Sequence, residues 1–386
     1  MMATIVVSGA LANKVDNGGE AWIRLSWVLG LRRLGARVFF VEQIDRSKCF
    51  DEEGRPAPFE TSGNRAWFDE IQRRFGLSGS AALVLGDGEA FHGLGRQELL
   101  DVAWEADLLV NISGHLRWDP FLRRVRCKVF VDEDPGFTQY WHSTGAARVA
   151  GHDHYFTLGA NIGHPECRIP SAGIPWRPLS PLVVLADWPP APTTGFDRFT
   201  TIASWRGPFG PVRFDGRTLG LKVHEFRRFV TLPQETHHCF EIALRIDPKD
   251  GRDLESLRHH GWRIVDPLAV AGNPEAFRSY VRDSGGEFSV AQGVYVGTNS
   301  GWFSERTARY LASGRPALVQ DTGFSRQYPV GEGLIAFRTR DEAVAGAERI
   351  TRDYDTHCRR AREFAEEFFD SDRVLSGFLQ AVGIAP

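Results

Sequence analysis

The run Asn299–Gly323, NSGWFSERTARYLASGRPALVQDTG, is the densest concentration of chemistry-bearing residues in this 386-residue chain. Ser300 or Ser304 can cap a helix that continues through Leu311 and stops at Gly314, with Pro316 just beyond. A helix start leaves N–H groups without partners and carries the positive end of the helix dipole, so it suits an anion such as a diphosphate. Small residues at Ser300 and Gly301 would let a ligand approach those N–H groups, and Arg306 and Arg309 add positive charge along the first turns. The same features also describe a well-capped surface helix.

Three further groups of residues could serve the same chemistry. Asp16–Asn17–Gly18–Gly19 follows the first predicted strand, and its paired glycines, Gly18 and Gly19, would let the backbone close on a phosphate or sugar. Ser204–Trp205–Arg206–Gly207 and Lys222 lie at and beyond a later strand, where Arg206 and Lys222 could clamp a leaving diphosphate. The run Trp262–Pro267 fits a nucleobase slot, with backbone contacts at Val265 and stacking on Trp262. For a base that takes a hydroxyl proton, the candidates at predicted strand ends are Asp16, His115, Asp132 and Asp134. The Asp132–Glu133–Asp134 cluster can raise one of its own pKa values by like-charge repulsion. The pairs His152/His154 and His237/His238 lack a third ligand, so no metal is expected. No GxGxxG follows the first strand, which argues against a nicotinamide or flavin enzyme.

These residues need two sheets to position them. Thr4–Ser8, a glycine-bearing loop, an amphipathic stretch Glu20–Leu34 and Arg37–Glu42 read as strand, loop, helix and strand, the opening of a parallel α/β sheet. Ala82–Leu85, Asp107–Ile112, Lys128–Val131 and Tyr155–Leu158 extend it. After a proline-rich stretch, Pro178–Pro192, a second series comprises Phe199–Ser204, His238–Leu244, Trp262–Val265, Gly293–Val296, Ala317–Gln320 and Leu334–Phe337. Helices are expected at Asp253–His260, Pro274–Val281, Glu305–Ala312 and Asp341–Arg349, and a charged helical region at Asp355–Leu379. The expected organisation is an acceptor-binding unit over 1–185, a linker over 186–198 and a nucleotide-binding unit over 199–365. The last segment, 366–386, is expected to be a helix that packs back on the first unit.

Composition narrows the partners. The chain is 42% hydrophobic and 25% charged, ordinary for a globular protein. A net charge of −3 offers no broad basic field for nucleic acid or anionic membrane. The five cysteines are scattered with no CxxC pair, which points to a reducing compartment and a cytoplasmic location. No apolar stretch approaches the length of a membrane span.

The Asn299–Gly323 run resembles the donor-binding signature of GT-B glycosyltransferases, in which a glycine-containing turn enters a helix ending in A-x-G-x-P. Here these are Ser300–Gly301–Trp302–Phe303–Ser304 and Ala312–Ser313–Gly314–Arg315–Pro316. Gly18–Gly19 and Leu31–Arg32–Arg33–Leu34–Gly35–Ala36–Arg37–Val38 are similar to the opening of many GT-B chains. The likeness is greatest to bacterial, spore-maturation-protein-like and family-1-type glycosyltransferases. The resemblance implies two Rossmann-like domains facing a cleft. It also implies transfer of a sugar from a nucleoside diphosphate donor, UDP or dTDP, to a small-molecule or glycan acceptor hydroxyl without a cofactor. Asp321 and Thr322 then fall where such enzymes touch the donor sugar. Two positions depart from the pattern. Arg309 replaces a ribose-binding glutamate, a role that passes to Glu305, and Gly301 stands where retaining members carry a glutamate, which favours inversion. The alternatives are an epimerase or hydrolase of the same fold, a silent nucleotide-sugar-binding protein, and a transferase acting on modified DNA bases. The last requires a basic stripe, for which Arg117–Arg126 and Arg206–Arg228 are the candidates.

Overall fold

The computed structural model describes every residue except Met1, Arg148, Pro208, Asp215 and Pro386, and all side chains of the described residues but that of Arg217. The N-terminal half holds β1 (Thr4–Ser8), β2 (Arg37–Ile44), β3 (Ala81–Leu85), β4 (Ala90–Gly93), β5 (Leu108–Ile112), β6 (Lys128–Asp132), β7 (His154–Thr157) and β8 (Arg177–Pro178). They form one sheet in the order β4-β3-β2-β1-β5-β6-β7-β8, parallel except for the β3/β4 pair. β1, β3 and β5 are buried at every position, as expected of parallel strands covered on both faces.

The C-terminal half is built on β9 (Arg198–Ser204), followed by a hairpin of β10 (Val212–Phe214) and β11 (Arg217–Leu219). β12 (Cys239–Arg245), β13 (Arg263–Val265), β14 (Gly286–Ser289), β15 (Ala317–Gln320) and β16 (Leu334–Phe337) join β9 in a parallel sheet ordered β13-β12-β9-β14-β15-β16. In each sheet the strand order reverses beside the first strand, between β1 and β5 and between β9 and β14. Ligands bind in open α/β sheets at the carboxyl ends beside such reversals.

One expected strand is corrected. Gly293–Val296 is part of a short helix, Gly293–Gly297, whose Val294 and Tyr295 pack into an aromatic cluster. The central strand is instead Gly286–Ser289, hidden in the sequence by Glu287, a fully buried carboxylate that Arg306 neutralises at 2.6 Å. The hairpin β10/β11 is a further element beyond the expected series.

The two halves share a continuous core. Trp22, in the helix Gly18–Arg33, packs on Trp188 at 5.2 Å and donates its indole N–H to the Pro274 carbonyl at 2.8 Å. The charged C-terminal region is two helices, Tyr354–Phe368 and Ser371–Ala381. The last of them packs back against the Gly18–Arg33 helix, with Phe378 5.2 Å from Trp27 and Asp372 paired to Arg33 at 2.8 Å.

Gly18 and Gly19 lie inside the first turn of their helix, and the space beside them is occupied. A Cβ on Gly18 would fall 2.1 Å from the Asn273 carbonyl oxygen, and one on Gly19 would fall 3.0 Å from the Phe277 ring. The expectation that they line a phosphate site is corrected: they let a helix of one half approach the backbone of the other. Gly18→Ala should therefore destabilise the protein by about 1–3 kcal/mol through overpacking. A urea unfolding midpoint equal to wild type would contradict this.

Candidate active site between the two sheets

Buried carboxylates shape the N-terminal wall. Glu42 accepts hydrogen bonds from the backbone N–H groups of Leu11 (2.8 Å), Ala12 (2.6 Å) and Asn13 (2.9 Å), fixing the loop after β1. Asp132, at the end of β6, accepts from Thr138 Oγ1, Gln139 Nε2, Thr157 Oγ1 and the Asp134 N–H. Burial pushes Asp132 up while those hydrogen bonds hold it down. Asp132 is thus a structural anchor, and it presents the next two carboxylates, Glu133 and Asp134, to the other half.

Arg24 is the hub of the charge cluster at the interface. It is only 3% exposed, pairs with Glu133 through both terminal nitrogens at 3.2 and 3.0 Å, and pairs with Glu20 at 3.3 Å. Burial pushes Glu133 well above its ordinary value, opposed by Arg24, while Glu305 of the C-terminal half pushes it further up. Burial likewise raises Glu305 to about 7, against the pull of Arg309 and Arg24. Asp134 accepts the Tyr295 hydroxyl at 2.8 Å and is raised to about 6, mainly by burial. Burial lowers His115 to about 4, helped by Arg24 and Lys14, so its imidazole is neutral at neutral pH. Acids at the ends of β6, a neutral histidine after β5 and Glu305 across the gap therefore share one electrostatic field.

The C-terminal wall starts at Ser304, which caps the helix Glu305–Ala312 by accepting from the Arg306 N–H. Arg306 binds Glu287 (2.6 Å), the Ile202 carbonyl (2.6 Å) and Ser289 Oγ (2.9 Å), tying the helix to β9 and β14. Lys222 begins another helix, its N–H held by Gln292 Oε1 at 2.8 Å. Burial, reinforced by the Arg306 charge, lowers Lys222 to about 7. The Glu287 carboxylate pulls it the other way, so Lys222 shares the field of the Arg306–Glu287 pair behind the helix Glu305–Ala312.

The structure brings His115, Asp134 and Glu305 into one field and puts Lys222 near Arg306 behind the Ser304-capped helix, with the Arg306 guanidinium itself bonded within the C-terminal half. Asp16 is exposed at the rim in a left-handed conformation. Ser300 and Gly301 do not face open space: Asn161 of the N-terminal half fills the turn, and a Cβ on Gly301 would lie 2.8 Å from the Asn161 N. Asp321 is consumed by the Gly323 N–H, Ser325 and Arg338, and Thr322 donates its hydroxyl to the Trp302 carbonyl. Trp205 is buried and bonded to Asp253, and Arg206 is bonded in a fork to Asp250. Trp262 is core, packed on Phe226, Phe240 and Phe288, and Val265 sits half-buried on an edge strand. Arg309 does not reach outward; it bonds the Glu305 carbonyl and Ser26 Oγ across the interface. Among the described residues no group of three or more His, Cys, Asp or Glu side chains could hold a metal ion.

Arg24, Glu20, Glu133, Tyr295 and Asn161 do not stand out in the sequence as site residues. Only the acidic cluster around Glu133 carries a signal. Arg24, Tyr295 and Asn161 acquire meaning from partners more than a hundred residues away, and Glu20 through Arg24.

Solved structures share this architecture over the whole chain. One is an alpha-glucosyltransferase in complex with UDP-glucose and DNA containing an abasic site, 12% identical, covering 99% of each chain with a TM-score of 0.60. Another is sucrose-phosphate synthase from Thermosynechococcus elongatus, 12% identical, covering 98% of each chain with a TM-score of 0.56. The chain has the GT-B fold. Anabaena HepE in complex with UDP and glucose is a further example, 11% identical over 98% of this chain and 99% of that one, with a TM-score of 0.59. The sequence matches no protein-family model and no curated protein. In GT-B terms, the cluster lies where the two Rossmann-like sheets face each other.

Because the Tyr295 hydrogen bond favours the ionised form of Asp134, Tyr295→Phe should raise the Asp134 pKa above its value of about 6. Carbon-13 NMR titration of the aspartate carboxyls reads this directly. A midpoint unchanged or lowered would contradict the pairing.

Proposed function

We propose that this chain is a glycosyltransferase that moves a sugar from a nucleoside diphosphate donor to an acceptor hydroxyl. The observation that carries the reading is the buried amine of Lys222 in the field of Arg306 at the capped helix start, in a fold whose other half carries the raised carboxylate of Asp134. The GT-B fold and its occurrence in proteins solved with UDP support a uridine nucleotide. In this reading the diphosphate rests against Lys222 and the helix start, whose donors match the charge that grows on it as the glycosidic bond breaks. Asp134 takes the acceptor proton as its hydroxyl attacks the anomeric carbon, in a single inverting displacement. The neutral imidazole of His115 and the carboxyl of Glu305 orient the reacting groups.

A transferase acting on DNA is disfavoured by the same side chains that suggested it. Arg117, Arg123 and Arg126 pair with Asp45, Asp119 and Asp107, and Arg206, Arg227 and Arg228 pair with Asp250, Asp253 and Glu225. The acceptor in this reading is a small molecule or glycan. No helix among the described residues is long and apolar enough to cross a membrane.

Two outcomes test the reading. Asp134→Asn should cut transfer by about 10²–10⁴-fold, the usual contribution of a positioned base, while leaving UDP binding intact; full activity would rule out Asp134. Calorimetric UDP affinity should be greatest below pH 7, where free Lys222 is protonated, and fall as pH rises through about 7. Lys222→Met should remove that pH dependence and weaken binding by about 1.5–3 kcal/mol, the worth of a hydrogen bond to a charged group. A pH-independent wild-type affinity would contradict Lys222 as the diphosphate contact.

A further inference from the structure

The turns at Gly301 and Gly323 are filled from the opposite half, and one side chain fills both. Asn161 follows β7 and is 1% exposed. Its Nδ2 donates to the Asn299 carbonyl at 3.0 Å and to the Gly323 carbonyl at 3.1 Å, and its Oδ1 accepts from Gln327 Nε2 at 2.5 Å. A carbonyl only accepts, so the amino end of the carboxamide must face both of them. The backbone around Asn161 is zipped to the same wall. Its N–H donates to the Ser300 carbonyl at 3.0 Å, the Arg168 N–H donates to the Thr298 carbonyl at 2.9 Å, and Gly159 pairs with Trp302. Both turns require glycine. A Cβ on Gly323 would fall 2.6 Å from Asn161 Nδ2, one on Gly301 would fall 2.8 Å from the Asn161 N, and both glycines have left-handed backbones.

Two segments of the C-terminal half therefore meet on one side chain. The Asn299–Gly301 turn leads through Ser304 into the helix Glu305–Ala312, and Gly323 lies just beyond the carboxyl end of β15. The Gly301 N–H also bonds the Thr322 carbonyl at 2.8 Å, so the segments move together. Trp302 stacks on Tyr295 at 4.5 Å, and Tyr295 donates to Asp134. The turn that Asn161 holds thus connects to the helix start through the chain and to the candidate base through the Trp302–Tyr295 stack.

We infer that Asn161 is a positioning residue, through which the N-terminal half sets the shape of the donor wall on the C-terminal half. The inference rests on the transferase reading, because it takes the start of the helix Glu305–Ala312 for the diphosphate site. Nucleotide affinity then depends on a side chain of the half that does not hold the nucleotide, and binding and apposition of the halves support each other reciprocally.

The test measures UDP affinity by calorimetry on the full chain, with urea unfolding midpoints on the same samples. Asn161→Ala should weaken UDP about tenfold, since each lost hydrogen bond is worth roughly a factor of 2–10. Asn161→Asp separates positioning from a general loss of stability. Its ionised carboxylate would face two carbonyls and repel them, while the protonated acid can again donate to one. The affinity ratio of wild type to Asn161→Asp should therefore be about tenfold near about pH 8 and shrink as the pH is lowered, whereas the ratio for Asn161→Ala stays flat. Gln327 is exposed, so Gln327→Ala serves if the Asn161 variants fail to fold, and it should weaken UDP about threefold by releasing Oδ1. Wild-type affinity in Asn161→Ala and Gln327→Ala, or an Asn161→Asp ratio indifferent to pH, overturns the positioning role while UDP binding to wild type leaves the transferase reading standing. Absence of UDP binding to wild type overturns that reading and the role with it.

Discussion

Burial of Arg24 between the two sheets is the constraint on which the site depends. An isolated guanidinium out of water is costly, and the cost is offset only by well-formed partners. Glu133 supplies two contacts and Glu20 a third, while Glu305 and Arg309 of the other half extend the field across the gap. Glu20 and Arg24 share the helix that carries Gly18, so the bare backbone at Gly18 sets how closely that helix approaches the second half. The charge cluster and the packing of Trp22 on Pro274 are two aspects of one contact.

Each wall of the cleft is held by a carboxylate that does no chemistry. Glu42 ties down the loop after β1, Asp132 shapes the turn that presents Glu133 and Asp134, and Glu287 anchors Arg306 behind the helix start. The partners of Glu42 and Asp132 are N–H groups and hydroxyls, and Arg306 binds one oxygen of Glu287 while the other is buried without a hydrogen-bond partner. With those anchors in place, Asp134, Glu305 and Lys222 are left in partly buried positions with shifted pKa values, the condition expected of groups that exchange protons or bind charge. Asp134 and Lys222 are shifted in opposite senses for the same reason, since burial disfavours the charged form of each.

Much of this is legible in the sequence, and the limits have physical causes. β1, β5, β15 and β16 follow from short apolar runs ended by glycine or polar residues, because a parallel strand buried on both faces has that pattern. The helix Glu305–Ala312 follows from its serine cap and Gly314. The helix 293–297 reads as a strand because Gly-Val-Tyr-Val has strand propensity, which tertiary packing of Tyr295 overrides. At the site, His115 and Asp134 can be found because strand ends are where such sheets bind ligands. Gly301 and Asp321 mislead because a glycine turn and an exposed-looking aspartate give no hint that Asn161 and Arg338 occupy them. Arg24 cannot be found, since a lone arginine on an amphipathic helix reads as solvated until Glu133 is placed beside it.

The central claim is that a nucleoside diphosphate binds between the sheets at the start of the helix Glu305–Ala312. The most direct test is a crystal structure of the protein grown with saturating UDP. Diphosphate density should then lie within hydrogen-bonding distance of Lys222 Nζ and the Ser304–Arg306 backbone. Ordered UDP bound elsewhere, or an empty cleft at saturating nucleotide, would contradict the claim.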